Sequence, residues 1–375
     1  MRDTPNPTEA KRLLIAGGGT GGHLFPALAV AHAWQARHGE GSVHFIGGRR
    51  GLENRLVPEQ GFSLETLPVG QLKGRGLLHK ARTALGLMPV ILKARSMLKQ
   101  FAPHVVLGVG GYASAPAMVA ARWLGIATAL HEQNALPGLT NRLLSRASGR
   151  VFVSFPSLCN RFPGRSCSLT GNPVRQELTE VERLITPTQF GPDRPLKLLI
   201  FGGSQGASLF NSALPEALAP LAAERMQFAI TQQVRDIEPE ALQTRYGELG
   251  INAEVTPFID DMAAAYSKAD LVISRAGATT VAELAAAGRP ALMIPYPYAA
   301  DDHQAANADA LAEVGGGWMV RQEQFDAAWL SNFLRQRYRD PNILQQAATQ
   351  ARTIAQPQAA ETIVQALESM TRGVV

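Results

Sequence analysis

Shortages of cysteine and of long apolar runs in this 375-residue sequence exclude two classes of protein. Cysteine occurs only as Cys159 and Cys167, too few for a disulfide scaffold, so we expect both to be reduced thiols. No run approaches about 18 uninterrupted apolar residues, and the polar segment 1–12 has no apolar signal core. The sequence therefore predicts neither secretion nor membrane spanning, and the cytoplasm is the expected compartment.

Acidic residues are missing between Glu65 and Glu132, although the net charge is only +5. Residues 1–172 hold 20 Lys/Arg and 7 Asp/Glu, whereas residues 173–375 hold 16 and 24. The apolar run 84–92 has basic flanks, which is typical of a surface that docks on an anionic membrane, or of a buried helix with a solvated basic face. Nucleic acid is disfavoured as a partner because the segment lacks aromatic side chains that stack on bases. This basic apolar patch comprises Leu85, Leu87, Met88, Ile91, Lys80, Arg82, Lys93 and Arg95.

A strand-then-glycine unit occurs twice. Residues 12–21 match residues 197–206 at a constant offset of 185, and in each copy a short apolar run ends in glycines that open into a helix-forming stretch. Glycine lets the backbone approach a ligand closely, and a helix N-terminus presents N–H groups and a positive dipole end. The repeat therefore predicts two units that each bind a phosphate or diphosphate.

Strand and helix patterns alternate along the chain, which predicts an α/β protein of doubly wound parallel sheets. Two domains are expected, because the chain exceeds the usual size of one core. The turn cluster 171–173 is a candidate hinge, and residues 342–371 are predicted as helix. The predicted strands are 13–16, 43–46, 105–109, 127–131, 151–153, 198–201, 227–231, 253–257, 271–274 and 291–295.

The first glycine loop satisfies the dinucleotide fingerprint through Gly17, Gly19 and Gly22. A tight strand–helix turn can also need these glycines without any ligand. The next predicted strand is followed by arginines and not by the acidic residue that binds ribose, which counts against NAD and leaves NADP open. A second loop, 109–114, is either another diphosphate cradle or an ordinary turn.

His23 follows the first loop and is a candidate general base, because its side chain is on the first turn of a predicted helix and imidazole titrates near neutral pH. It could also be a helix-terminal polar residue. The polar run 131–134 follows a buried strand, where polar groups require partners. We favour ligand binding for Asn134, whereas His131 and Glu132 could satisfy one another.

A serine hydrolase is a competing hypothesis, because residues 202–206 fit the G-x-S-x-G nucleophile elbow. Ser204 would be the nucleophile and His303 the base. This hypothesis gives the first glycine loop, the repeat and the basic apolar patch no role. A phosphate-contacting Ser204 is therefore favoured.

The segment 275–283 follows an apolar strand and begins an alanine-rich helix, with Glu283 placed to accept hydrogen bonds from ribose hydroxyls. Together with 301–304 it is typical of a nucleotide-sugar pocket, although Glu283 could also be an ordinary helix-face carboxylate. The sequence has no D-x-D pair and no His/Cys cluster with ligand spacing, so neither a metal nor a cofactor is predicted.

Eight segments, taken together, resemble the MurG-type transferases of peptidoglycan synthesis. They contain GGGTGGHLFPALAVA, GVGGYASAP, HEQNALPGLTNRLL, GNPVR, FGGSQGA, FIDDMAAAY, RAGATTVAE and DDHQAANA, at residues 17–31, 108–116, 131–144, 171–175, 201–207, 258–266, 275–283 and 301–308.

The resemblance implies a GT-B fold, with two Rossmann-like domains facing a central cleft. We expect an acceptor and membrane-docking domain over 1–172, a UDP-sugar-binding domain over 173–345, and a C-terminal helix over 346–375 that crosses back. The implied reaction moves N-acetylglucosamine from UDP-GlcNAc to the 4-hydroxyl of the N-acetylmuramyl unit of undecaprenyl-linked lipid I, with inversion, giving lipid II. The protein would work without a cofactor, at the cytoplasmic face of the cell membrane, as a peripheral protein.

The resemblance also implies roles for single residues. Ile259 would contact uracil through its backbone, Glu283 the ribose and Gln304 the N-acetylglucosamine hydroxyls, while His23 stays the candidate base. His303 stands where some relatives have glutamine. The implied donor contacts are Thr20, Gly21, Gly22, Asn134, Arg175, Ser204, Ile259, Ala278, Thr279, Thr280, Val281, Ala282, Glu283 and Gln304, and the implied acceptor-diphosphate contacts are Gly17, Gly18, Gly19, Gly110, Gly111 and Tyr112.

Two other activities remain open on the sequence alone. A related GT-B enzyme that glycosylates a different lipid would share the uridine pocket and the basic apolar patch. An NADP-dependent oxidoreductase would share only the fold, and release of UDP would separate these two.

Overall fold

The computed structural model describes residues 10–69, 77–203 and 208–371, with the side chains of 77–86 excepted. The chain forms two compact units. Unit 1 runs to Gln133, takes up Pro137–Pro173 and ends with the segment from Gln358, and unit 2 comprises Asn134–Leu136 and Val174–Pro357. Among the described residues, no helix is long and apolar enough to cross a membrane.

Unit 1 contains a sheet of seven parallel strands in the order β3-β2-β1-β4-β5-β6-β7. Strand β1 (Leu13–Gly17), an interior strand, is apolar and buried along its whole length, as expected for a strand covered on both faces. Leu13 and Ile15 pack on one face of the sheet, and Leu14 and Ala16 pack on the other. The strands are β1 Leu13–Gly17, β2 Val43–Gly48, β3 Ser63–Leu67, β4 Val105–Gly110, β5 Ala127–Glu132, β6 Arg150–Val153 and β7 Cys167–Leu169.

Helices cover both faces of this sheet. The last helix of the chain belongs to unit 1, where Ile363 and Leu367 are fully buried among residues of the first helix and the central strands. Glu368 also accepts hydrogen bonds from Arg37 (2.8 Å) and pairs with His38 (3.0 Å) at the end of the first helix. The helices are α1 Gly21–His38, α2 Glu53–Glu59, α3 Leu77–Phe101, α4 Ser114–Trp123, α5 Leu139–Leu144 and, at the C-terminus, α14 Ala359–Met370.

Unit 2 repeats the architecture with six parallel strands in the order β10-β9-β8-β11-β12-β13. The strands are β8 Leu196–Phe201, β9 Phe228–Gln233, β10 Asn252–Thr256, β11 Leu271–Ser274, β12 Ala291–Met293 and β13 Gly317–Met319. The helices are α6 Gln176–Thr179, α7 Ser208–Ala223, α8 Pro239–Glu248, α9 Met262–Lys268, α10 Ala278–Ala287, α11 His303–Ala312, α12 Ala327–Arg339 and α13 Asn342–Ala351.

The structure confirms the doubly wound α/β architecture and all ten predicted strands. The repeat has a topological meaning, because β1 and β8 are the strands at which the strand order reverses in their sheets. Loops at such a reversal are where open α/β sheets bind ligands. Sequence analysis missed β3, β7 and β13, which all lie at a sheet edge, where a short or polar strand needs only one partner.

The C-terminal region differs from the expectation of one helix over 342–371. It forms α13 and α14, separated by a break in which Ala355 is extended and Pro357 cannot donate a backbone hydrogen bond. The expected boundaries at 172 and 345 fall at Pro173 and Pro357 in the structure. Helix α13 therefore packs within unit 2, and the segment that joins unit 1 begins at Gln358.

The prediction of two reduced cysteines is wrong, because Cys159 and Cys167 form a disulfide in unit 1. Pairing of β7 with β6 brings Cys167 beside the turn that holds Cys159, with a Cα–Cα distance of 5.6 Å. That separation lies within the range of disulfide geometry. Spacing along the sequence gives no such distance, which is why the pairing was missed.

Candidate active site

The two glycine loops of unit 1 are in contact. They follow the neighbouring strands β1 and β4, and a Cβ on Gly111 would lie 2.6 Å from the Gly18 carbonyl oxygen. A Cβ on Gly17 would collide with the Gly110 carbonyl oxygen, and Gly110 itself has a φ of +97°. Side chains are therefore excluded here by close backbone packing, which brings the predicted acceptor-diphosphate residues together. Tyr112, at the end of this set, is about half exposed.

Glu53 holds the first glycine loop in place through hydrogen bonds to its backbone. Sequence analysis missed this residue. Its buried carboxylate accepts hydrogen bonds from the backbone N–H groups of Gly19 (2.8 Å) and Gly48 (3.0 Å). A Cβ on Gly18 or Gly51 would collide with the carboxyl group. Several glycines around 17–51 thus enclose a carboxylate, and the Gly19 amide already has an anionic partner.

His23 lies on the first turn of α1, next to the predicted donor residues Thr20, Gly21 and Gly22. Its Nδ1 is 3.0 Å from Oε1 of Gln133, which follows β5. Its ring also packs on Gly110, where a Cβ would lie 3.0 Å from the imidazole. The structure therefore places the candidate base beside both glycine loops of unit 1.

Gln133 and His131 form a buried polar pair next to His23. The Gln133 amide nitrogen lies 3.0 Å from the Val109 carbonyl oxygen and 3.2 Å from His131 Nδ1. His131 Nε2 lies 3.2 Å from the Gly171 carbonyl oxygen. Burial lowers the pKa of His131 to about 4, so its ring is neutral at physiological pH.

The suggestion that His131 and Glu132 satisfy one another is not needed. Glu132 accepts hydrogen bonds from the Gly138 amide (3.1 Å) and from Asn141 Nδ2 (3.0 Å). These bonds satisfy Glu132 at the start of α5, separately from the His131 contacts.

Glu283 is the centre of the polar site in unit 2. It is buried on α10 and accepts hydrogen bonds from Arg175 Nη2 at Oε1 and from the Tyr266 hydroxyl at Oε2, both at 3.2 Å. Burial raises its pKa, while Arg175 and the two hydrogen bonds act in the opposite direction. A carboxylate can accept about four hydrogen bonds, so two more donors, such as ribose hydroxyls, can be bound. The predicted residues Ala278, Thr279, Thr280, Val281 and Ala282 form the first turns of the same helix.

Asn134 is fixed by Asn307, a fully buried residue of α11 that sequence analysis missed. Asn307 Oδ1 accepts from the Ala135 amide (2.7 Å), and its Nδ2 donates to Asn134 Oδ1 (3.3 Å) and to the Ala276 carbonyl (3.1 Å). The segment 134–136 is thus tied to the loop that precedes α10. Both belong to unit 2.

The first turn of α11 carries Gln304, whose Oε1 accepts a hydrogen bond from the Tyr296 amide (2.9 Å). Asp301 and Asp302 adopt left-handed φ values of 52° and 54°, and Asp302 pairs with Arg321 at 2.8 Å. His303 contacts the Ala300 carbonyl within its own turn. Ile259 lies between β10 and α9, and Ser204 lies outside the described residues.

The basic apolar patch lies on α3. Met88 and Leu92 are about half exposed, whereas Leu87 and Ile91 are partly buried, and Ile91 packs on the core. Lys93 donates to the Thr66 carbonyl. Arg95 packs over the exposed Trp123 of α4, which extends the apolar surface beyond α3. The side chains of Lys80, Arg82 and Leu85 lie outside the described part of α3.

Within the described ranges, no three His, Cys, Asp or Glu side chains are grouped as metal ligands. The polar sites of both units are built from amides, imidazoles, a guanidinium, a phenol and single carboxylates.

Comparison with known sequence families identifies the protein family of the chain that carries these sites. The glycosyltransferase family 28 N-terminal domain matches residues 13–153, and the family 28 C-terminal domain matches residues 197–363. The chain belongs to glycosyltransferase family 28. This membership removes the hydrolase and oxidoreductase alternatives.

Similar proteins match this chain over nearly its full length. The chain is 63% identical, over 99% of both proteins, to the UDP-N-acetylglucosamine–N-acetylmuramyl-(pentapeptide) pyrophosphoryl-undecaprenol N-acetylglucosamine transferase of Magnetococcus marinus. A protein of the same name from Geotalea uraniireducens is 46% identical over 96% of this chain and 98% of its own. The crystal structure of Acinetobacter baumannii MurG is 35% identical, with a TM-score of 0.76 over 96% and 99% of the two chains. The predicted GT-B fold is thereby confirmed.

Burial of His131 should make the stability of the folded protein depend on pH. Unfolded histidine takes up a proton below a pH of about 6.5, whereas folded His131 does so only near pH 4, so the folded state loses stability as the pH falls between these values. The loss is about 3 kcal/mol by linkage. We expect His131→Asn to remove most of this pH dependence in urea unfolding at pH 7 and pH 4.

The control is His32→Asn, on an exposed position of α1, which should keep the wild-type pH dependence. Glu283, whose pKa is raised, contributes to the pH dependence of stability with the opposite sign. This contribution is the same in wild type and both variants, so it cancels when they are compared. Equal pH dependence in wild type and His131→Asn would show that His131 titrates normally in the folded protein.

Proposed function

We propose that this family 28 enzyme transfers N-acetylglucosamine from UDP-GlcNAc to the 4-hydroxyl of the N-acetylmuramyl unit of undecaprenyl-linked lipid I and so makes lipid II. The substrates are supported by one observation, the full-length similarity to the transferases of Magnetococcus marinus and Geotalea uraniireducens described above. The buried carboxylate of Glu283 on α10 supports a ribose-containing donor, and His23 supports proton removal from a hydroxyl.

Unit 2 holds the donor in this proposal. The N-terminal turn of α10 and Arg175 bind the diphosphate, Glu283 binds the ribose hydroxyls, and the backbone of Ile259 binds uracil. Asn134, held by Asn307, and Gln304 contact the sugar. Ser204 and the Thr20–Gly22 turn complete the donor contacts implied by the motifs.

Unit 1 binds the acceptor and supplies the base. The 4-hydroxyl oxygen attacks the anomeric carbon on the face opposite UDP, and its proton passes to His23 Nε2. The bond from the anomeric carbon to the phosphate oxygen breaks, UDP leaves with the electron pair, and the α-linked donor becomes a β-linked product. The loops 17–19 and 110–112 bind the acceptor diphosphate, although the Gly19 amide already donates to Glu53.

We further propose that the enzyme is metal-independent, with the leaving UDP stabilised by Arg175 and helix N-termini. The basic apolar patch, with Trp123, holds unit 1 against the anionic cytoplasmic face of the cell membrane, where the lipid-linked acceptor resides.

The reaction itself can be tested with purified protein. We expect UDP to appear from UDP-GlcNAc only when a short-chain lipid I analogue is present, and to appear equally in excess EDTA because no metal takes part. UDP release with a different lipid acceptor but not with lipid I would assign another substrate. Loss of activity in EDTA would refute the metal-independent mechanism.

Glu283→Ala should weaken UDP binding by about 1.5 to 3 kcal/mol, roughly 10- to 150-fold, because it removes charge-assisted hydrogen bonds to ribose. Isothermal calorimetry measures the affinity. Glu248→Ala, an exposed carboxylate on α8 of the same unit, is the control and should bind UDP like wild type. If Glu283→Ala is folded by circular dichroism and binds UDP with wild-type affinity, Glu283 does not contact the nucleotide.

Reversing two charges of the basic apolar patch should weaken binding to vesicles that contain anionic lipid. Each cation contributes about 1 kcal/mol near such a surface, so Lys93→Glu with Arg95→Glu should lower affinity at least tenfold. Raised salt should have a similar effect on wild type. Turnover of a water-soluble acceptor should barely change.

The matched control reverses Arg245 and Lys268, two exposed cations of unit 2. If neither the charge reversal in the patch nor raised salt changes the affinity for vesicles, the patch is an ordinary helix surface and does not dock on the membrane.

A further inference from the structure

The proposed reaction needs one ring nitrogen of His23 without a proton. Neutral imidazole has two forms, with the hydrogen on Nδ1 or on Nε2, and the hydrogen bond made by one nitrogen decides the state of the other. The contacts of unit 1 determine which form His23 adopts, because three of its polar groups are buried and can bond in only one way.

The orientation of the Gln133 amide is fixed by the Val109 carbonyl. Gln133 is 1% exposed, and a carbonyl oxygen only accepts, so the group 3.0 Å from Val109 O must be the amide nitrogen. The amide oxygen therefore faces His23 Nδ1 at 3.0 Å. An amide oxygen also only accepts, so His23 Nδ1 must carry the hydrogen.

His131 fixes the same orientation from the other side. Its Nε2 is 3.2 Å from the Gly171 carbonyl oxygen and so carries the hydrogen, which leaves Nδ1 to accept from the second N–H of Gln133 at 3.2 Å. This arrangement requires a neutral ring, as burial of His131 ensures. Residues 131 and 133 point to the same side because they alternate along the chain at the end of β5.

We propose that Gln133 is a positioning residue that, oriented by Val109 and His131, holds His23 in the Nδ1-protonated form and leaves Nε2 as the proton acceptor. Hydrogen bonds run in one direction from His23 through Gln133 and His131 to the Gly171 carbonyl. The role of this form in turnover rests on the proposed function, whereas the form itself does not.

The direct test is NMR on protein labelled with ¹⁵N-histidine, at about pH 8, where two-bond proton–nitrogen correlations distinguish protonated from unprotonated ring nitrogens. His23→Gln assigns the signal. Wild type should show His23 protonated at Nδ1, and Gln133→Met, which keeps the side-chain length and removes the acceptor, should show a mixture or the Nε2-protonated form. Wild-type protein protonated at Nε2, or an unchanged form in Gln133→Met, would overturn the proposal.

The chain offers a matched control in Gln60, whose Oε1 lies 3.0 Å from the exposed His32. Gln60→Met removes an equivalent glutamine–histidine contact in the same unit. It should leave both the His23 signal and turnover unchanged, so a change of the His23 signal in Gln60→Met would count against a specific role for Gln133.

Turnover separates positioning from mere packing. Gln133→Met should lower kcat by about 10- to 100-fold with KM for UDP-GlcNAc within about twofold, because general-base catalysis is lost while the donor site of unit 2 is intact. If Gln133→Met retains wild-type kcat, Gln133 does not position the base; UDP release by wild type still decides the proposed function separately.

Discussion

Direct backbone contact between the loops after β1 and β4 determines the rest of the site in unit 1. These strands are neighbours where the strand order reverses, so their loops leave the sheet side by side. No side chain fits between Gly17 and Gly110, and the space beside Gly110 is filled by the His23 imidazole. The glycines therefore position the candidate base, in addition to any contact with phosphate.

Buried polar groups in both units have fixed hydrogen-bond partners. In unit 1 the acceptor-only carbonyls of Val109 and Gly171 determine the hydrogen-bond direction at His23. In unit 2 Arg175 and Tyr266 hold both oxygens of Glu283. An unpartnered buried polar group costs about 1–3 kcal/mol, so these arrangements resist reorientation and are preorganised for a ligand.

The sequence predicted the parts of the fold that depend on local pattern. The 185-residue repeat identified β1 and β8, and apolar runs identified the other central strands, whereas β3, β7 and β13 at the edges lack such runs. Candidate site residues with local signals, such as His23 and Glu283, could be named from the sequence. Gln133 and Asn307 received no role, because their partners lie 110 and 173 residues away in sequence. The disulfide was missed for a different reason: its cysteines are only eight residues apart in sequence, and the pairing of β7 with β6 determines how close they lie.

Glu53 shows why a glycine-rich loop alone does not identify a phosphate site. Its carboxylate accepts hydrogen bonds from the Gly19 and Gly48 amides. Backbone N–H groups of this kind could otherwise bind an anionic ligand. A diphosphate placed at the Gly19 amide would meet the like charge of the buried Glu53 carboxylate, which is unfavourable. The acceptor diphosphate in this proposal must therefore be bound mainly by the loop after β4. The glycines around Glu53 have a structural reason of their own, because side chains there would collide with its carboxylate.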